Sequence, residues 1–445
     1  MKRFFVFQGF LTFIVLVFLL FISCATKPDA YIPIDAGVES GSYEDAIASI
    51  NDEKGRARRS IYTPKNEILL YLDRGMIHHY AGSYQESSED FQMAELLIEE
   101  AYTKSLTQSI GSYIVNDNTI DYSGEDYEDL YINVFNALNY YHTGSLEGAM
   151  VEIRRLNDKL VYFADKYERA REKIGESDAA RQVDYDQVTM EASSFSNSAL
   201  ARYLGVLFHR GTGNQDGARI DHEELIRAFE LAPEIYRNPI PSSVEEELSV
   251  PEDMGRLNVI AFTGRSPIKQ EETIIIPLPF EFPNNTAKIA IPVMVDRPQL
   301  VQRVEAVLDN GEVIPLGLLE DMGAVARDTF KSRHGVIVLK SIVRSILKVS
   351  ASAGASSAMR EKQGDAAGLL LGVFGRVVAG ATEKADIRIS RYFPRNALVG
   401  GINLEPGDYK ITINYYGAGG LLSSDRQEIS VRKNGVNLVE SVYLR

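Results

Sequence analysis

The chain has 445 residues, of which 45% are hydrophobic and 24% are charged, a composition that excludes a disordered or wholly membrane-spanning protein and predicts two or three globular domains. Its formal net charge is 47 − 62 = −15, so the chain repels phosphate and nucleic acid is not expected as a partner. The single cysteine excludes an intramolecular disulfide and a thiolate metal cage.

The N-terminus has the pattern of an export signal. Basic residues at the start are followed by an apolar stretch from Phe4 to Ile22, and then by Ser23 and Cys24. The segment Leu20–Cys24 resembles a bacterial lipobox, in which the cysteine receives a diacylglyceryl group. We therefore expect residues 1–23 to be a lipoprotein signal peptide and Cys24 to carry covalent lipid. The alternative is an uncleaved transmembrane anchor, because a stretch of 22 − 4 + 1 = 19 apolar residues is long enough to span a bilayer.

Residues 24–42 are predicted to form an extended tether. They include two prolines and two glycines, which interrupt regular structure: Pro28, Pro33, Gly37 and Gly41. A flexible chain of this length has a mean reach of about 25 Å, so the body of the protein stays near the lipid.

Residues 43–237 have mainly helical spacing of apolar residues. Two helices, one from Ile68 to Tyr80 and one that begins near Phe91, flank a tight turn at Gly82, and similar pairs surround Gly144 and the segment Gly211–Gly217. The small and aromatic residues of these pairs resemble tetratricopeptide repeats. We predict a helical domain with such repeats. A non-repeating helical bundle is the alternative, because the first two turn glycines are 144 − 82 = 62 residues apart instead of about 34.

A long helical hairpin is predicted within this region. Apolar residues from Met150 to Ile174 follow a nearly heptad spacing. Apolar residues from Val188 to Val206 could pack against them from an antiparallel helix. The turn is expected near Gly175–Asp184.

Residues 242–445 are predicted to form a β-rich, sandwich-like domain, so that the fold class is α+β. The segment Asn238–Pro241 breaks the helical pattern, and we expect the parts on either side of it to fold independently. Short alternating runs predict these strands: Leu257–Phe262, Thr273–Leu278, Ala287–Val293, Leu300–Asp309, Asp386–Ser390, Asp408–Tyr415, Gln427–Arg432 and Val436–Tyr443.

A helix pair is predicted as an insertion in this domain at about residues 336–382. Its helices are Val336–Ser350 and Ala366–Thr382, both rich in small residues. We expect the pair to pack on the sheet, and the alternative is a hairpin that touches a membrane or a partner.

Several stretches resemble a family of uncharacterised envelope lipoproteins of Gram-negative bacteria, which have a tetratricopeptide-like region followed by a β-rich domain. The matching stretches are Tyr127–Arg155, Tyr203–Ala218 with its continuation to Asp221, Gly264–Glu271, Ile289–Pro292 and Glu383–Arg388. The resemblance implies a lipoprotein with this architecture and brings no catalytic residue.

The sequence has no recognisable catalytic, cofactor-binding or metal-binding motif. Its six histidines do not form a His-Glu-x-x-His pattern, and neither a nucleophile elbow nor a phosphate loop occurs. Asp117, Asp121 and Asp126 share a polar loop that could hold calcium, but they do not have the spacing of an EF-hand. A second polar group, Arg265, Lys269 and Glu271, is predicted to form surface ion pairs, with anion binding as the alternative.

The function predicted from these features is that of a lipid-anchored, non-enzymatic scaffold that binds another envelope protein, on the outer membrane and facing the periplasm. An envelope hydrolase with an unrecognised site in the β-rich domain, and a structural lipoprotein on the cell surface, are the alternatives. In tetratricopeptide repeats the first helix of each pair lines a concave face, which predicts a partner-binding groove lined by Met76, His79, Leu138, Tyr141, Val206 and His209. These side chains would otherwise belong to the core.

Overall fold

The computed structural model describes residues 28–107, 120–175, 191–277, 286–363 and 384–445. Within them the fold is mixed α+β, as predicted, with helices in the first half and most strands in the second. Cys24 and the second helix of the predicted insertion, Ala366–Thr382, lie outside the described residues. In the part of the chain that is described, no helix is both long and apolar enough to cross a membrane.

The first described helix follows a short 3-10 turn at Pro28–Ala30. In chain order they are α1 (Ile32–Ser40), α2 (Tyr43–Asn51), α3 (Arg56–Ser60), α4 (Glu67–Tyr80), α5 (Tyr84–Thr107), α6 (Asp126–His142), α7 (Leu146–Gly175), α8 (Ala199–Gly211), α9 (Gln215–Leu231), α10 (Ser242–Glu245) and α11 (Met322–Gln363).

Three antiparallel helix pairs, α4–α5, α6–α7 and α8–α9, make up the helical half, at the three places where the sequence predicts them. Each pair is joined by a turn that contains a glycine with positive φ, namely Gly82, Gly144 and Gly213, at 77°, 86° and 77°. Glycine adopts this left-handed conformation at little cost, which explains why the turns could be found from the sequence. At Gly75 a Cβ would lie 2.8 Å from the ring of Phe91, so the glycine allows α4 and α5 to approach closely.

The long helix of the predicted hairpin is present as α7, but the predicted returning helix is wrong in its first part. Residues 191–198 are not helical, and α8 begins only at Ala199. The Asp328 carboxylate accepts hydrogen bonds from the Ser194 and Phe195 backbone N–H groups at 2.7 and 3.0 Å. Because a side chain on a distant helix takes these donors, the segment has no need of helical hydrogen bonds.

The strands of the second half are β1 (Gly255–Arg265), β2 (Ile268–Pro277), β3 (Thr286–Val295), β4 (Arg303–Leu308), β5 (Val313–Asp321), β6 (Pro394–Leu404), β7 (Gly407–Gly417), β8 (Gly420–Val431) and β9 (Asn437–Tyr443). Seven of them form one sheet in the order β8-β7-β4-β5-β6-β1-β9, and β2 and β3 form a separate hairpin. All described pairings are antiparallel except the pairing of β1 with β9.

In place of the predicted sandwich, the seven strands form one nearly closed sheet. Its two edge strands approach each other, because Gln427 of β8 donates a hydrogen bond to the Glu440 carbonyl of β9 at 2.7 Å, and Ser441 donates to Asp425 at 2.7 Å. Apolar side chains from the strands fill the interior of this curved sheet, Val259, Ile413 and Tyr415 among them.

One predicted strand is wrong, and two strands were missed. Asp386–Ser390 belongs to no strand, and β5 and β6 were not predicted. The first inserted helix begins at Met322 instead of Val336 and is therefore longer than predicted.

A second, larger core joins the helical half to the outer face of the sheet. Phe135 of α6 lies 5.0 Å from Phe262 of β1 and 6.0 Å from Phe393, measured between ring centroids. Ile260, Val399 and Leu438 of the sheet belong to the same cluster as Leu69, Leu138 and Leu204 of the helices. The break at Asn238–Pro241 therefore marks a change of secondary structure inside one shared core.

Candidate functional site

The predicted groove residues are largely covered by the rest of the chain, and His79 and Tyr141 among them contact strand β9. Four of them are buried and two are half-buried: Met76, His79, Leu138 and Val206, then Tyr141 and His209. Tyr141 illustrates why, since its hydroxyl accepts a hydrogen bond from the Leu438 backbone N–H of β9 at 3.2 Å. At His79 and Tyr141 the chain's own strand β9 occupies the space in which a partner was expected, whereas His209 faces Asp221 of α9. Their positions therefore favour the alternative interpretation, in which these side chains belong to the core.

The most distinctive polar group at this contact is centred on Glu440 of β9. Its carboxylate lies 2.6 Å from Nε2 of His79 on α4 and 3.1 Å from Nε2 of His142 on α6. The other ring nitrogen of His79 lies 2.6 Å from Oδ1 of Asn139, whose amide donates to Ser87 at 2.9 Å. Both nitrogens of His79 thus face acceptors, which is the arrangement that a protonated imidazolium requires.

The electrostatics of the group agree with this protonation state. Burial opposes the charge of His79, but the Glu440 carboxylate and the hydrogen bonds outweigh it and raise the pKa of His79. Burial likewise opposes the charge of Glu440, yet the two histidines lower its pKa to about 2. The His142 ring is held in place by stacking on Tyr84, with centroids 4.2 Å apart. The group is a charged clamp between the first two helix pairs and the last strand.

A second buried polar group surrounds Ser390, in the segment that precedes β6. The Ser390 hydroxyl donates to Asp73 of α4 at 2.7 Å, and its backbone N–H donates to Glu128 of α6 at 2.6 Å. Tyr62 and Tyr122 donate one further hydrogen bond to Asp73 and to Glu128, respectively. Burial raises the pKa of Asp73 to about 6 and, with the nearby Glu125, the pKa of Glu128 to about 7.

This serine and its two carboxylates do not form an accessible reaction centre. Ser390, Asp73 and Glu128 are all completely buried. A nucleophilic serine needs both a base that can take its proton and a substrate that can reach it. The geometry therefore assigns this group to the attachment of the Ser390 segment to the helices.

The N-terminal segment differs from the predicted tether. Residues 32–40 form helix α1, and Tyr31, Ile34 and Val38 are buried in the shared core. The Asp35 carboxylate accepts hydrogen bonds from Arg265 and Arg391 at 3.1 and 3.0 Å. The prolines and glycines indicated a flexible chain. Apolar burial and ion pairing together outweigh the conformational entropy that this segment loses when it becomes ordered.

The remaining polar candidates form internal contacts. Arg265 pairs with Asp35, Lys269 forms a buried ion pair with Glu125, and Glu271 accepts the Ala385 N–H at 2.8 Å. These contacts are ion pairs and hydrogen bonds within the folded chain. Arg265 and Lys269 are less exposed than the sequence suggested.

For the calcium alternative, Asp117 lies outside the described residues, Asp121 is exposed, and Asp126 accepts a hydrogen bond from Lys166 at 2.6 Å. The described residues contain no group of three or more His, Cys, Asp or Glu side chains that could hold a metal ion.

Glu440, Asp73, Glu128 and Ser390 were not singled out from the sequence. The signal available was a charged residue next to apolar residues, as at Asp73 after Leu72 and at Glu440 after Val439. Such a residue must find a partner in the fold, but its sequence neighbours do not identify that partner. Comparisons with protein-family models, with curated proteins and with solved structures find no match.

Proposed function

We propose that this chain is a lipid-anchored scaffold of a bacterial envelope, attached to the membrane through Cys24 and binding another envelope protein through its helical half. The observation that carries the proposal is the docking of the N-terminal segment. Tyr31, Ile34 and Val38 are buried, and Asp35 is held by two arginines, so the chain is fixed to the body only a few residues after the cysteine.

This docking is what a membrane-attached scaffold needs. A body on a long flexible tether changes its orientation freely, whereas a body fixed close to its anchor presents the same surface to its surroundings. The export-signal pattern and the position of the only cysteine support lipidation, and the stretches that resemble envelope lipoproteins support the compartment.

The partner would bind the outward faces of the helix pairs, since the predicted groove residues are buried or half-buried. Exposed apolar side chains lie on α5 and α7, including Met93, Leu96 and Val161. Apolar side chains of this kind on a helical surface are suited to a protein partner.

The anchor is tested by replacing Cys24 with Ala and labelling cells with a radioactive or clickable fatty acid. We expect the wild-type chain to be labelled and to fractionate with the outer membrane, and the variant to accumulate as an unlabelled precursor. Ser423→Ala, on a distant strand, is the matched control and should behave as wild type. Equal labelling of the Cys24→Ala variant would refute the anchor. Protease treatment of intact cells then distinguishes a periplasmic from a surface location.

The scaffold is tested separately by placing a photo-crosslinking amino acid at Leu96 or Val161 in cells, with Leu421 at the start of β8 as the exposed control. We expect the two helical positions to give one discrete adduct with an envelope protein and the control to give none. Adducts of equal yield at all three positions would contradict binding through the helical half.

A further inference from the structure

The chain leaves very little distance between Cys24 and the folded body. The described structure begins at Pro28, and four residues of backbone span at most about 14 Å in any conformation. Given the acylation of Cys24 proposed above, on which this inference rests, the surface around Pro28–Ala30 must lie within about 14 Å of the lipid attachment point. The identity of the membrane-facing surface is therefore fixed by the covalent chain.

One part of this surface is apolar. Ile32, at the start of α1, is 62% exposed, and its neighbours Pro33 and Ala36 are also exposed, while Tyr31 and Ile34 point into the core. A single exposed isoleucine is ordinary on a protein surface. Its position, eight residues after the cysteine, distinguishes it from the other exposed apolar residues.

The other part of this surface is basic. Helix α3 packs against the 3-10 turn at Pro28–Ala30, and Nη2 of Arg56 lies 3.5 Å from the Asp29 carboxylate. Lys54, Arg56 and Arg59 are exposed, and Arg58 is half-buried.

The charge of this surface differs from the charge of the whole chain. Within residues 52–59, four cations accompany Asp52 and Glu53, a balance of 4 − 2 = +2 in a chain of net charge −15. Exposed charges act over a Debye length of about 8 Å at physiological salt, so only charges near the anchor are felt by the lipid headgroups. Arginine binds phosphate through paired N–H donors, which suits it to phospholipid headgroups.

We propose that this surface, formed by Ile32, Pro33, Lys54, Arg56 and Arg59, rests on the membrane and binds anionic phospholipids. Ile32 enters the interface beside the acyl chains of Cys24, and the two arginines contact lipid phosphates. The lipid anchor and this surface together give the protein one orientation on the membrane, which is the two-signal arrangement that holds lipidated proteins stably.

The test uses the full-length acylated protein in vesicles of phosphatidylglycerol and phosphatidylcholine. Because Cys24 is the only cysteine and its thiol is blocked by acylation, Ile32→Cys and Ile220→Cys each carry one free thiol for an environment-sensitive fluorophore. Ile220 is the matched control: it is also an exposed isoleucine, at 50%, and it lies on α9, two helix pairs away from the first pair. We expect lipids with quenchers in their acyl chains to quench the label at position 32 and not the label at position 220.

The charge contribution is measured with the same label at position 32. Arg56→Glu with Arg59→Glu should reduce the membrane-contacting population by about fivefold for each cation lost. Arg219→Glu with Arg227→Glu on α9 should leave it unchanged. Melting curves of all variants confirm that they fold, which is expected because the changed side chains are exposed.

Three outcomes would overturn all or part of the proposal. Acylated protein with equal quenching at positions 32 and 220 refutes the membrane-facing surface and leaves the lipid anchor intact. Cys24 found unmodified by mass spectrometry refutes the anchor and this surface together. Quenching at position 32 that is the same in pure phosphatidylcholine vesicles would refute the binding of anionic headgroups.

Discussion

Glu440 and His79 are 361 residues apart in the chain, yet their side chains meet at 2.6 Å in the contact between the last strand and the first helix pair. The carboxylate of Glu440 is only 11% exposed and the ring of His79 only 1%, so neither charge is compensated by water. Each residue therefore depends on the other for its charged state.

Replacing Glu440 with Gln should destabilise the protein by about 3–5 kcal/mol, because it leaves a buried histidine without its counter-charge. Urea denaturation at pH 6 measures this loss. Glu428→Gln is the matched control: Glu428 belongs to an exposed pair with Lys410, and its loss should cost less than about 1 kcal/mol. Equal effects of the two substitutions would show that the Glu440 clamp contributes little.

The pH dependence of this clamp follows from the two pKa shifts. The pKa of Glu440 is lowered to about 2, so its contribution is present above the ordinary value of 4.5 and is lost as the pH falls towards 2. The pKa of His79 is raised above 6.5, so its contribution is complete below 6.5 and is lost as the pH rises through the raised value. We expect the stability difference between wild type and Glu440→Gln to be largest between about pH 4.5 and 6.5, measured by denaturant titration across that range. A difference that is constant from pH 3 to 9 would contradict the ion pair.

Ionisation of Glu128 should lower the stability of the folded protein as the pH rises towards neutral. Burial raises its pKa from 4.5 to about 7, so the folded protein keeps a proton that the unfolded chain releases, and stability decreases as the pH rises from 4.5 to 7. A shift of this size corresponds to roughly 3 kcal/mol. Glu128→Gln, which cannot ionise, should remove that part of the decrease in denaturation experiments at pH 4.5 and 7.5. The exposed control Glu147→Gln should retain the wild-type slope. If Glu128→Gln retains it as well, Glu128 is ionised in the folded protein.

The two halves should not fold separately, contrary to the expectation from the sequence break. Fragments Tyr43–Asn238 and Ser242–Arg445 each lack the partner for a large apolar surface, since Phe135 packs against Phe262 and Phe393 across the break. We expect no cooperative thermal transition for either fragment, and recovery of one transition when both are co-expressed. Two independent cooperative transitions would show that the shared core is dispensable.

Asp35 should fix the N-terminal segment to the body. Asp35→Ala removes the partner of Arg265 and Arg391 and should cost about 1–3 kcal/mol, because both arginines are partly buried. We also expect faster cleavage by protease between residues 28 and 42, followed by mass spectrometry of the products. The exposed control Glu230→Ala on α9 should be cleaved at the wild-type rate. Unchanged cleavage in Asp35→Ala would mean that apolar burial alone holds α1.

The features that the sequence predicts well are those decided by local chemistry. The turns at Gly82 and Gly144 were found because a left-handed position favours glycine whatever surrounds it. Strand β7 was found because its residues alternate between the interior of the sheet and solvent, as at Ile411 and Ile413.

The failures occur where distant residues decide the structure. Asp386–Ser390 alternates like a strand, but Ser390 donates its N–H to Glu128 of a helix, and Asp386 binds Arg388 at 2.8 Å. The segment is therefore held by side chains instead of a neighbouring strand. Strand β6 was missed because Gly400 and Gly401 weaken its pattern. In the structure a Cβ at Gly400 would lie 2.9 Å from Ile314, so the glycine permits the strands to pack closely.

The candidate site shows the same limit. The residues predicted to line a groove lie on α4, α6 and α8. Nothing in the sequence of those helices shows that strand β9 will contact His79 and Tyr141. Glu440 was not considered because its partners lie on α4 and α6, about 300 residues or more earlier in the chain.

The parallel pairing of β9 with β1 has a consequence for the order of events when the protein is made. Residues 437–443 complete the sheet and bring Glu440 to His79, so the interior cannot close until these residues are available. A chain synthesised from its N-terminus therefore exposes the apolar sides of its helix pairs until its last strand has been made. During that interval the unpaired edge of β1 and the uncovered helices can aggregate with other chains. A premature stop before residue 437 would leave these surfaces uncovered permanently.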